Sequence, residues 1–66
     1  MKHEVKYPNL VAEMARNGDT QKTLAELLGT TIATISRKLA GKIDWSIWEV
    51  ETICEYYKKD YYQLFK

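Results

Sequence analysis

Across residues 20–42, TQKTLAELLGTTIATISRKLAGK, apolar side chains recur at helical spacing on both sides of a single interruption, Leu28-Gly29-Thr30-Thr31. That interruption constrains the fold more than any other feature. Glycine enters positive φ at little cost, so a helix ending at Leu28 can be followed within three or four residues by another that leaves at a steep angle. Ala25 is small where two such helices approach most closely, and Ile35, six residues past Gly29, gives the second helix an apolar side chain to bury.

The rest of the chain is punctuated in the same way. Leu10, Val11 and Met14 follow helical spacing, with Pro8 suited to a first turn and Gly18 to an end. Thr20 can cap a second helix whose buried stripe is Leu24, Ala25, Leu27 and Leu28. Thr30 or Thr31 caps a third, with Ile35 and Leu39 on its inner face and Gly41 closing it. Ser46 with Glu49 is a capping box and opens a fourth helix through about Tyr57, burying Ile47, Val50, Ile53 and Cys54. Asp60 with Gln63 repeats the signal for a last turn, Tyr61 to Phe65. No segment alternates with period two, and there is no repeat, linker or low-complexity run. The expectation is an all-α fold, a compact bundle of five short helices in one domain, with residues 1–7 a mobile leading segment. Helices this short are marginal alone, so packing must hold them. A chain of 66 residues buries only roughly 60% of the surface its unfolded form exposes.

Several function classes drop out. The single Cys54 cannot make an internal disulfide, and lone His3 has no partner for a metal site. Glu49, Glu51 and Glu55 fall on what reads as the solvated face of helix four rather than in a cleft where carboxylates converge. An enzyme is not expected, nor a cofactor. With no apolar run near the roughly 20 residues that span a bilayer and no signal peptide, a cytoplasmic protein with no membrane partner is expected. No second domain is expected for sensing a small molecule or for self-cleavage.

The formal net charge is only +1, but its distribution is uneven. Residues 1–19 balance; residues 20–42 carry Lys22, Arg37, Lys38 and Lys42 against Glu26; residues 43–66 carry three lysines against five acids. The surplus of positive charge lies on the segment with the glycine turn, where a phosphate backbone would want it.

A small residue, a glycine four later and an apolar residue six beyond is the helix-turn-helix pattern, in which the second helix can enter the major groove of DNA. Over nearly its whole length the chain resembles the Cro and phage-repressor type of helix-turn-helix protein, the XRE family. Gln21, Ala25, Gly29, Ile35, Ser36, Leu39, Gly41 and Lys42 all fall in register, and small phage or prophage regulators have this shape. The resemblance implies a lambda-repressor-like fold with the helix-turn-helix at helices two and three. It implies that Gln21, beside Thr20 and Lys22 at the start of helix two, reaches a phosphate and steadies helix three. It further implies that Thr31, Ile32, Ala33, Ser36 and Arg37 face base edges or the flanking backbone, and that Lys42 holds a phosphate.

The helical wheel supports most of this. With Ile35 inward, Ala33, Ser36, Arg37 and Ala40 turn outward, while Ile32 falls on the border and only the resemblance turns it out. Small outward residues let a helix sit deep in a groove, and Arg37 can bond guanine or a phosphate. The amides at the N-termini of helices two and three are further phosphate donors. The chain departs from the family pattern after Gly41-Lys42, where Ile43 and Asp44 replace a common basic residue and proline.

Trp45 is expected to plug the core between helices three and four. Trp48 shares an outer stripe with Thr52, Glu55 and Tyr56; with Tyr56, Tyr62 and Phe65 it is a candidate dimer or partner surface, unless these aromatics only cap a thin core. The resulting expectation is a sequence-specific regulator that occupies a double-stranded DNA operator as a homodimer. The alternative is a helix-turn-helix fold used to bind protein, such as an antirepressor or adaptor.

Overall fold

The computed structural model describes residues 6–66. Five helices follow in order: α1 Pro8–Arg16, α2 Gln21–Leu28, α3 Ile32–Leu39, α4 Ile47–Tyr57 and α5 Tyr61–Phe65. No strand occurs among the described residues, so the five-helix all-α expectation holds.

Four of the five start on a side-chain cap. The Thr20, Thr31, Ser46 and Asp60 side chains accept from the backbone N–H three residues on, which satisfies a donor the helix ladder cannot reach. Thr31, not Thr30, is the cap of α3. Reciprocal bonds complete capping boxes at Thr20, Ser46 and Asp60. α1 has no side-chain cap and relies on Pro8 in its first turn.

The first four helices end on one device. The amides of Asp19, Thr30, Lys42 and Lys59 donate to the carbonyls of Met14, Ala25, Arg37 and Cys54, each over a left-handed residue. That residue is glycine at 18, 29 and 41, but Lys58 at the end of α4, with φ 58°.

The core gathers Leu10 and Met14 of α1, Leu24, Ala25 and Leu28 of α2, Ile35 and Leu39 of α3, Ile53 and Tyr57 of α4, and Leu64 and Phe65 of α5. α2 packs on α3, α1 on α5 and α4 on α5. Leu27, Val50 and Cys54 are half-buried against this core.

Several expectations are corrected. Ile47, expected in the core, is 77% exposed, because it lies about 120° around α4 from Ile53. Val11 is exposed, and on the opposite edge of the buried stripe of α1 Glu13 is buried, its carboxylate accepting from Arg16 Nε and Nη2 and from Asn17 Nδ2. Glu49 is buried rather than solvated. Phe65, assigned to a partner surface, is 7% exposed and stands edge to face with Tyr7 and Trp45. Trp45 packs on that cluster, so it closes the α1–α5 side as well as the α3–α4 junction. Tyr7 is itself packed against the core, whereas His3 lies outside the described residues.

Candidate nucleic-acid interface

Gly29 bends the chain at φ 69° and ψ 37°, with the Thr30 amide closing on Ala25 C=O at 2.9 Å. α3 then lies against α2 through Ile35 and Leu39, both buried. Its opposite face carries Ala33, Ser36, Arg37 and Ala40, all exposed, with Ile32 49% exposed beside them. The border residue of the wheel therefore stands outward. Two alanines and a serine make this a low surface, over which Arg37 is the one long polar side chain.

Thr20 and Thr31 are exposed, but their hydroxyls already serve their helices. Thr31 Oγ1 accepts from Thr34 N–H at 3.2 Å and donates to Thr34 Oγ1 at 3.0 Å. Thr20 Oγ1 accepts from Thr23 N–H at 3.4 Å. Because each cap takes the third amide of its helix, the amides of Gln21, Lys22, Ile32 and Ala33 remain outside the ladder at two helix N-termini. Gln21 is half-buried beside exposed Lys22, and exposed Lys42 follows the far end of α3.

Lys38 does not join this face. It is buried, and its Nζ donates to both oxygens of Glu49, at 2.5 and 2.6 Å, across the α3–α4 junction. The Ser46 amide donates to the same carboxylate at 2.9 Å, and Lys38 Nζ also lies 5.6 Å from the Trp45 ring centroid. Burial pushes the Glu49 carboxyl up, but the Lys38 and Ser46 hydrogen bonds outweigh it and hold it below its ordinary value. One of the four cations that made residues 20–42 positive is thus neutralised internally, and Lys22, Arg37 and Lys42 carry the exposed charge.

A second polar bridge was not foreseen. Tyr57 Oη donates to Asp19 at 2.8 Å and Tyr56 Oη at 3.3 Å, tying the end of α4 to the residue before the Thr20 cap. Burial and then the Asp19 hydrogen bond raise the Tyr57 phenol well above its ordinary value, so it stays a donor. The only signals in the sequence were an acid beside a cap and a tyrosine pair, at a separation no local rule connects.

Away from α3, Trp48 is 54% and Tyr62 71% exposed, and Tyr56 is exposed too. Burial, with the Asp60 charge adding, raises the Cys54 thiol above its ordinary value, the opposite of what a nucleophile needs. Among the described residues no group of three metal-binding side chains occurs, and no helix is long and apolar enough to cross a membrane. The Trp45 indole N–H is buried without an acceptor.

Compared with known protein families, residues 9–66 match the BetR domain, a small domain of the helix-turn-helix DNA-binding type. No curated protein and no solved structure matches the chain.

Proposed function

Since the chain belongs to the BetR domain family, we propose that it is a sequence-specific transcriptional regulator acting from the cytoplasm, which occupies an operator as a homodimer in the manner of Cro and the phage repressors. The observation that carries this reading is the outer face of α3, where Ala33, Ser36, Arg37 and Ala40 stand clear of the bundle. In the major groove, Arg37 bonds guanine or a flanking phosphate, and Ile32 or Ala33 meets a thymine methyl. Gln21 and Lys22 with the α2 amides hold one backbone segment, and Lys42 another. With so few long side chains, discrimination leans on apolar contacts, DNA shape and water. Bound in this way the protein excludes polymerase or a rival repressor.

The dimer contact falls to the exposed aromatics Trp48, Tyr56 and Tyr62, so that two copies of α3 read half-sites about 34–36 Å apart. The same aromatics favour a second reading, in which the fold serves to bind another protein. Selection from random duplexes followed by sequencing separates the two. The regulator yields an enriched palindrome with one helical turn between half-site centres; a protein-binding module yields no enrichment.

A further inference from the structure

The Asp19 backbone is fixed from one side, where its amide donates to Met14 C=O at 2.8 Å as α1 ends. Its carboxylate is held from the other: Tyr57 Oη donates to one oxygen at 2.8 Å and Tyr56 Oη to the other at 3.3 Å. Both hydroxyls belong to α4, so the acid is turned toward that helix. Other partners are at hand. Asp19 stands one residue ahead of the Thr20 cap, beside the N-terminus of α2, where a carboxylate is favoured by the helix dipole and by amides that the ladder leaves over. Lys22, exposed and three residues on, is a second. Yet the ion pairs among the described residues are Arg16 with Glu13, Lys59 with Glu13 and Lys38 with Glu49, and none involves Asp19 or Lys22.

We propose, resting on the regulator reading above, that Tyr56 and Tyr57 are positioning residues for the contact with the DNA backbone. By holding Asp19 against α4 they keep an internal anion off Lys22 and the α2 amides, and leave that end of the helix to a phosphate. An acid released there competes in two ways. As a partner three residues back it neutralises Lys22, one of the two lysines per protomer assigned to phosphate. As a charge beside the bound phosphate it repels it. Two residues of chain span at most about 7 Å, inside the Debye length of about 10 Å at 0.1 M salt, so ordinary salt does not screen the competition away. With its backbone pinned and only two side-chain torsions, Asp19 points where its hydrogen-bond donors are. The hydroxyls of α4 decide that.

The test is binding of the whole chain to the duplex enriched by selection, measured against salt, with folding followed by circular dichroism. Tyr57→Phe removes the shorter bond and keeps the ring in the core; because Tyr57 is buried, the exposed aromatics of α4 are left alone. At about 50 mM salt the variant should bind at least about tenfold more weakly, with the log–log slope shrinking from about −4 toward about −2 as Lys22 is lost to Asp19. Base preference, set by α3, should be unchanged. Adding Asp19→Asn removes the competitor and should restore both affinity and slope, which would not happen if the bridge only steadied the fold. Asp19→Asn alone should bind no more weakly than the native chain. Should Tyr57→Phe not fold, Tyr56→Phe with and without Asp19→Asn decides in its place. A folded Tyr57→Phe variant with native affinity and slope, or a loss that Asp19→Asn fails to reverse, overturns this proposal and leaves the regulator reading standing. A native chain that binds no duplex overturns both.

Discussion

Lys38 and Glu49 form the one pair of opposite charges in which both side chains are buried among the described residues. Removing one partner leaves the other charge stranded, at a cost of about 3–5 kcal/mol. A domain of this size has a total stability of roughly 3–10 kcal/mol, so Lys38→Met should leave the chain largely unfolded or barely folded in urea titrations. Lys38→Met combined with Glu49→Leu should recover most of the loss, because two apolar side chains of similar volume need no counter-charge. The pair also sets an acid limit. The folded Glu49 carboxyl lies below its unfolded value of about 4.3, so its contribution is complete above that pH and is lost as pH falls through the lower folded value. Denaturant midpoints should therefore fall below about pH 4.3 in the native chain, and less steeply in the double variant. None of this was legible in the sequence. Helical spacing placed Glu49 in a capping box, which is correct, but its pairing with a lysine eleven residues back depends on how α3 crosses α4.

The helices themselves were legible, because what starts and stops them is local. Thr20, Thr31, Ser46 and Asp60 each bond an amide three residues on, and the glycines at 18, 29 and 41 each close a helix just ended. Interactions over three to five residues can be read from order alone. Faces of short helices were less legible: Ile47 and Val11 are apolar at the edge of a buried stripe, and tertiary packing left both in solvent while burying Glu13 and Glu49. Phe65 was misassigned for the same reason, since only the return of α5 onto α1 brings Tyr7 and Trp45 to it. Two C-terminal caps give predictions of opposite sign. A Cβ at Gly29 would meet no atom within 4 Å, so Gly29→Ala strains only the backbone. It should lose about 1–2 kcal/mol, read by thermal denaturation, and Gly29→Asn less, since asparagine tolerates the left-handed region. Lys58 already occupies that region without being glycine, so Lys58→Gly should gain about 1 kcal/mol.

For the whole molecule, the packing leaves two unlike surfaces. α3 presents small residues and Arg37; the outside of α4 presents Trp48 and Tyr56 beside Glu51 and Glu55, a face that repels phosphate. If the second is the dimer contact, Trp48→Ala should shift sedimentation equilibrium toward monomer and lower affinity for a two-half-site duplex, while leaving the circular dichroism of the monomer unchanged. The composition of the segment proposed to face DNA was legible as a local excess of positive charge, but the size of that excess at the surface was not, because Lys38 is spent on Glu49. Its absence from the interface changes what salt should do to binding. With Arg37 on a base, the two other exposed cations of each protomer, Lys22 and Lys42, give a dimer four phosphate contacts, hence a log–log slope of about −4; counting Lys38 would give about −5.

The most direct measurement is therefore the affinity for the selected duplex as a function of salt, for the native chain and for Arg37→Ala, with folding followed in parallel. The account predicts binding at about 50 mM salt with a slope of about −4. It predicts that Arg37→Ala, still folded, binds with roughly 1–3 kcal/mol less affinity and discriminates less between sequences. Absence of binding to any duplex at low salt, or undiminished binding by a folded Arg37→Ala variant, would contradict the assignment of the outer face of α3 as the DNA-reading surface.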